Sequence, residues 1–128
     1  MSSNSPTGGE TGPAPPRVLV IDDEASLGRF LKVALPMWGI EEIEWVASGA
    51  EGVERCSRAR PDVVLLDYLL VNENGAEVAD QLRSFCPGVR IIAFSGFLME
   101  KPPWADDFFP KADLFRLERL AEVVRGRN

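Results

Sequence analysis

The chain has 128 residues and a mass of 14.1 kDa, enough for one domain with its own core, and its 45% hydrophobic and 27% charged residues are the balance of an ordinary globular protein. Lys and Arg number 14 against 20 Asp and Glu; the formal charge of −6 repels phosphate backbones and anionic lipid and argues against nucleic acid or a membrane surface as a direct partner. Histidine is absent, which removes Ser-His-Asp and Cys-His nucleophile pairs, imidazole metal ligands and any phosphohistidine formed on this chain.

Residues 1–16 contain four prolines and three glycines and no branched aliphatic or aromatic side chain, so they cannot offset their ordering entropy and are expected to be a disordered tail. Val18 to Ile21 is short and continuously apolar, as in a strand covered on both faces. Leu27, Leu31, Ala34 and Leu35 then form one stripe of a helix that Pro36 and Gly39 close. Ile43 to Val46 reads as a second strand, more exposed than the others, and Ala50, Val53 and Cys56 or Ser57 line a second helix ending before Pro61. Val63 to Leu66 is a third strand, Val78, Leu82 and Phe85 mark a third helix, and Val89 to Phe94 is a fourth strand. Residues 96–107 are irregular, because Pro102 and Pro103 forbid a long helix. Asp107 to Phe109 is a short fifth strand, and Leu117, Leu120, Ala121 and Val124 make the final helix with Asp113 as its cap. The expected domain runs from 17 to 125, with 126–128 as a tail. Cys56 and Cys86 are too few for a disulfide scaffold or a zinc site, which suits a reducing, cytoplasmic setting. No apolar run approaches the ~20 residues of a membrane span.

Alternating strands and helices with doubly apolar strands predict an α/β fold, a five-stranded parallel sheet between helices, and ligands gathered at the carboxyl ends of the strands. Those ends carry Asp22 and Asp23, Asp67, Ser95 and Lys111. Any one of them alone is commonly a turn, a cap or a surface residue. Together they place three carboxylates, a hydroxyl and an ammonium on one rim. Carboxylates about 4 Å apart repel by roughly 4 kcal/mol at an effective dielectric of 20. Lys111 supplies one compensating charge, and the all-oxygen donor set suits magnesium or manganese for the rest.

The motifs VLVIDDE at 18–24, PDVVLLD at 61–67, Gly75 eight positions beyond Asp67, AFSG at 93–96 and FFPK at 108–111 carry a resemblance. From about residue 17 to residue 125 the chain resembles the CheY-like receiver domain of bacterial two-component response regulators. The resemblance implies a flavodoxin-like, doubly wound sheet and a phosphoryl group accepted on Asp67 from a histidine kinase or histidine phosphotransfer protein. It implies Asp23 as a direct magnesium ligand, Asp22 acting mostly through water, and the Leu69 carbonyl completing the protein ligands. Ser95 takes the switch hydroxyl position, Lys111 the family's lysine position and Phe108 the aromatic switch position. Asp67 is then expected to be ionised at neutral pH, since metal and lysine both favour its charged form.

Three departures stand out. Val71 occupies a position where the family usually has proline. Ala112 follows Lys111 where the family usually has a cis proline, so a trans peptide is expected. The 95–111 connection is too short for the family's full fourth helix, leaving a shortened or irregular one. Phe97, Met99 and Trp104 are then either an exposed partner patch or a cover for the adjoining core. Leu69 and Phe97, two residues past Asp67 and Ser95, are apolar and cannot orient water, which predicts slow self-dephosphorylation.

The expected function is a phosphorylatable signalling switch acting through an effector protein or an onward phosphorelay, with enzymatic activity limited to its own phosphorylation and dephosphorylation. The chain is either a stand-alone switch or a module of a longer regulator, and a homodimer stays open. The alternative is a receiver-like interaction module that no longer uses phosphate. An aspartyl-nucleophile phosphohydrolase is disfavoured, because Tyr68 and Leu69 stand where such enzymes carry a second carboxylate.

Overall fold

The computed structural model describes residues 14–70, 73–96 and 100–126. The expectations at Val71, Phe97 and Met99, for most of the 1–16 tail and for 127–128 lie outside those residues. Five strands, β1 (Val18–Ile21), β2 (Ile43–Val46), β3 (Val63–Asp67), β4 (Arg90–Ser95) and β5 (Asp107–Pro110), form one wholly parallel sheet in the order β2-β1-β3-β4-β5. The helices are α1 (Ala25–Ala34), α2 (Gly49–Ala59), α3 (Gly75–Phe85) and α4 (Leu117–Arg125). The described residues between β4 and β5 carry no helix, in line with the expected shortening.

Strand alternation divides the core into two layers. Val18 and Val20 of β1 join Val63, Leu65, Ile92 and Phe94 under Leu31 of α1 and Leu120 and Val124 of α4. Leu19 and Ile21 join Val64, Leu66 and Ile91 under Cys56 of α2 and Val78 and Leu82 of α3. Successive side chains point to opposite faces, so a strand apolar at every position is what a sheet covered on both sides requires. Each such buried Leu or Ile contributes roughly 1.5–3 kcal/mol.

Helix boundaries follow local chemistry. Ser48 accepts the Glu51 N–H and Glu51 returns to the Ala47 N–H, which starts α2. Asn74 accepts from Ala76 and Glu77 at the start of α3. Gly39 and Gly126, at φ of 87° and 86°, end the turn after α1 and end α4.

Four details correct the periodicity. The inner face of α2 is Gly49, Gly52 and Cys56, with Ala50 and Ser57 outside, because Gly52 leaves only enough room for the Ile21 side chain. Phe85 is half exposed, since Leu82 and Ala79 already fill the space under α3. Asp113 is not the cap of α4; it lies in a 3-10 turn (Lys111–Asp113), and α4 starts after Arg116 without a side-chain cap. β5, the other edge strand, is at least as open as β2.

The short β4–β5 connection is held by polar anchors in place of a helix. Asp106 accepts the Ile91 N–H and the Arg83 guanidinium, both at 2.9 Å, and Arg83 also donates to the Trp104 carbonyl at 2.8 Å. Trp104 covers the α3 core layer and stacks on Tyr68, as the core-covering reading of that residue expects. Partial burial opposes ionisation of Asp106, but the Ile91 N–H and Arg83 overcome it and hold the carboxyl below its usual range. A folded pKa below the unfolded one stabilises at all pH above the carboxylate range and is lost on acidification through it. Asp106→Asn is therefore expected to lower the urea midpoint at pH 7, with the gap to wild type shrinking as pH is lowered below the ordinary carboxylate range, as read by circular dichroism.

Candidate functional site

Strand register builds the site. Ile21 lies opposite Leu66, so Asp22 and Asp67 leave the sheet side by side at the β1/β3 boundary, where the strand order reverses. Asp67 pairs with Phe94, and Ser95 with Pro110, so Ser95 and Lys111 follow on the same rim. Each of these residues is the last of its strand or the first beyond it.

The structure brings several of these side chains together. Asp22, Asp23 and Asp67 each offer a carboxylate oxygen within 4.8 Å of the others. Asp22 and Asp67 are buried, at 0% and 5% exposure, while Asp23 faces solvent. Lys111 Nζ lies 2.8 Å from Asp22 Oδ2 and 3.6 Å from both Asp67 Oδ1 and Glu24 Oε1. The ammonium thus sits nearest Asp22, and its approach to Oδ2 is chiefly charge on charge rather than a well-directed hydrogen bond. Ser95 is buried at the end of β4, and Phe108 is half buried on β5, opposite in direction to the core residue Phe109. Leu69 donates its N–H to Asp67 Oδ1 at 3.3 Å and exposes its side chain. No cis peptide occurs among the described residues, in keeping with the trans link expected after Lys111.

Burial, reinforced by Asp22 and in smaller part by Asp23, pushes the Asp67 carboxyl up to about 6, against the opposing pull of Lys111 and the Leu69 N–H. Asp67 is thus still mostly ionised at pH 7, as expected, but the neighbouring acid and lost solvation outweigh the pull of the lysine and narrow the margin. Burial would lower the Lys111 pKa, but Asp22, Asp67 and Glu24 raise it above its ordinary value and keep the side chain charged. Three convergent carboxylates with one cation between them leave an excess of negative charge. A buried Asp22 oxygen without a directed hydrogen-bond donor, beside all-oxygen donors, fits a hard divalent ion.

Several contributors carry no sequence motif. The Trp45 indole N–H donates to the Asp22 carbonyl at 2.7 Å, across a space that Gly28 leaves open. Glu73 accepts the Gly49 and Ala50 N–H groups at 2.8 and 3.0 Å, tying the loop after β3 to the start of α2. Tyr68 stacks on Trp104 with centroids 6.1 Å apart and planes at 8°, steadying the other end of that loop. A glycine within the helical stripe of α1 was the one hint of the first contact.

A family model for the response regulator receiver domain matches residues 18–102. Response regulator MprA of Mycobacterium leprae is 31% identical over 116 residues, 86% of this chain and 50% of that protein. DNA-binding response regulator MtrA of Mycolicibacterium paratuberculosis is 32% identical over 117 residues, 87% and 50%. The chain thus spans about half the length of the curated relatives it matches. Among solved structures, response regulator protein TrrA from Thermotoga maritima, in complex with Mg(2+)-BeF, superposes with a TM-score of 0.75 at 28% identity, covering 86% of this chain and 96% of that one. With the acids, hydroxyl and lysine on one rim of a β2-β1-β3-β4-β5 sheet, the chain belongs to the response regulator receiver domain family.

Proposed function

We propose that residues 17–125 are a phosphorylatable switch whose acceptor is Asp67. The observation that carries this is the packing of Asp22, Asp23, Asp67 and Lys111 around one point, a costly arrangement that serves a cation and a phosphoryl group. Asp22, Asp23, Asp67 and the Leu69 carbonyl would hold magnesium or manganese, which supplies positive charge opposite the phosphoryl oxygens when bound.

The donor is a phosphohistidine on a histidine kinase or phosphotransfer protein, or a small acyl phosphate. An Asp67 oxygen forms the new bond to phosphorus as the bond to the donor nitrogen or oxygen breaks. The transition state spreads charge over three equatorial oxygens, so positioned charge accounts for most of the acceleration. Lys111 moves from its Asp22 contact toward one oxygen, and the Ser95 hydroxyl meets another. The added charge of about −1.5 to −2 draws Ser95 inward, and Phe108 turns into the space it leaves. The output is an effector protein or onward relay in the cytoplasm. No helix among the described residues is long and apolar enough to cross a membrane. Retention of every acidic and switch position disfavours a phosphate-independent module.

Three outcomes are expected. Intact-mass spectrometry after acyl phosphate treatment shows one added phosphoryl group with magnesium, little without it, and none in Asp67→Asn; labelling of that variant on the same peptide would end the assignment. Leu69→Ala accelerates decay of the phosphoprotein after donor removal, because a smaller side chain admits water to the acyl phosphate. The third concerns stability without a divalent ion. A folded carboxyl pKa raised to about 6 means that ionised Asp67 destabilises the fold above that pH, and that this deficit fades as pH falls from 6 toward 4. Asp67→Asn is then more stable than wild type at pH 7.5, on the order of 1 kcal/mol once solvent screening at the pocket mouth is discounted. Urea unfolding should show the gap closing near pH 4.

A further inference from the structure

We infer that Trp45, on the edge strand β2, is a positioning residue for the cation-binding acid pair, holding the Asp22–Asp23 peptide in its ligand-presenting orientation through its indole N–H. The inference rests on the metal-dependent reading above and adds a residue outside its ligand set.

Asp22 is framed by three hydrogen bonds. Its N–H donates to the Val46 carbonyl at 3.1 Å, its Oδ1 accepts the Glu24 N–H at 2.9 Å, and its carbonyl accepts the Trp45 indole N–H at 2.7 Å. The first two belong to the sheet edge and the turn, whereas the third comes from a side chain. That carbonyl lies in the peptide plane joining Asp22 to Asp23. Pinning the plane sets the direction from which the exposed Asp23 carboxylate leaves the backbone. Asp22 is wholly buried, so water has poor access to the carbonyl if the indole donor is lost.

The approach depends on a second residue. A Cβ on Gly28 would collide with the Trp45 ring, so α1 keeps a glycine in its interior although alanine is the better helix former. Trp45 also packs against the core layer of α1 and α4. Phenylalanine removes the N–H and part of the ring but keeps much of that contact, so its packing loss is read in the melting temperature without magnesium and the loss of positioning in the magnesium midpoint.

The test is a magnesium chloride titration followed by thermal unfolding on wild type, Trp45→Phe and Trp38→Phe, since a ligand that binds the folded state raises its melting temperature with concentration. Loss of one such hydrogen bond is expected to weaken magnesium binding about five-fold in Trp45→Phe. Trp38→Phe, in the turn that follows α1, should match wild type. Nuclear magnetic resonance of the wild-type indole groups supplies a readout independent of folding of the variant. The Trp45 N–H should exchange slowly with solvent and shift along the same magnesium titration. A Trp45→Phe midpoint equal to that of wild type, or a fast-exchanging Trp45 N–H that ignores magnesium, overturns the role of Trp45 alone. A wild type with no response to magnesium overturns the metal reading and this inference together.

Discussion

Three carboxylates converge within 4.8 Å at the ends of β1 and β3, and one lysine approaches the two buried ones, Asp22 at 2.8 Å and Asp67 at 3.6 Å. Two of the acids are buried, so their repulsion is not relieved by water. Such a cluster persists only because the two core layers hold the central strands in register, and register alone places Asp22 beside Asp67. The raised Asp67 carboxyl is the local sign of this strain, and a divalent cation or a proton is what relieves it.

Lys111 mediates between the sheet and the chemistry. It pairs closely with Asp22, reaches toward Asp67 and Glu24, and lies 5.5 Å above the Phe94 ring, an apolar floor that favours a fixed ammonium position. Asp67 itself stands on a loop tied at both ends, by Glu73 to the start of α2 and by the Tyr68 stack to Trp104. Since Trp104 lies in the short β4–β5 connection, the end of β3 and that connection are joined by a direct aromatic contact.

The described residues of that connection are held without a helix. Pro102 and Pro103 prevent helix formation, and the backbone groups they leave are served by side chains: Lys101 donates to the Ala105 carbonyl, Arg83 to the Trp104 carbonyl, and Asp106 accepts from Ile91. The family model match ends at residue 102, within this connection, while β5 and Lys111 still fall into place beyond it. Pairing with β4, which depends on backbone groups, carries the lysine to the rim whatever route the chain takes to get there.

The residues themselves determined the strand sequence, the double covering of the sheet, and which acids, hydroxyl and lysine end each strand, because apolar runs and their terminating polar residues are local properties of the chain. Helix faces were less legible: small residues such as Gly49 and Gly52 are buried by close approach to Ile21 and Val78, which hydrophobicity does not encode. Only tertiary structure decided that Lys111 sits closer to Asp22 than to Asp67, that Trp104 seals the core on Tyr68, and that Trp45 reaches the Asp22 carbonyl past Gly28. Each of these depends on how far apart two distant segments come to rest, a distance set by register and packing across the sheet and carried by no residue alone.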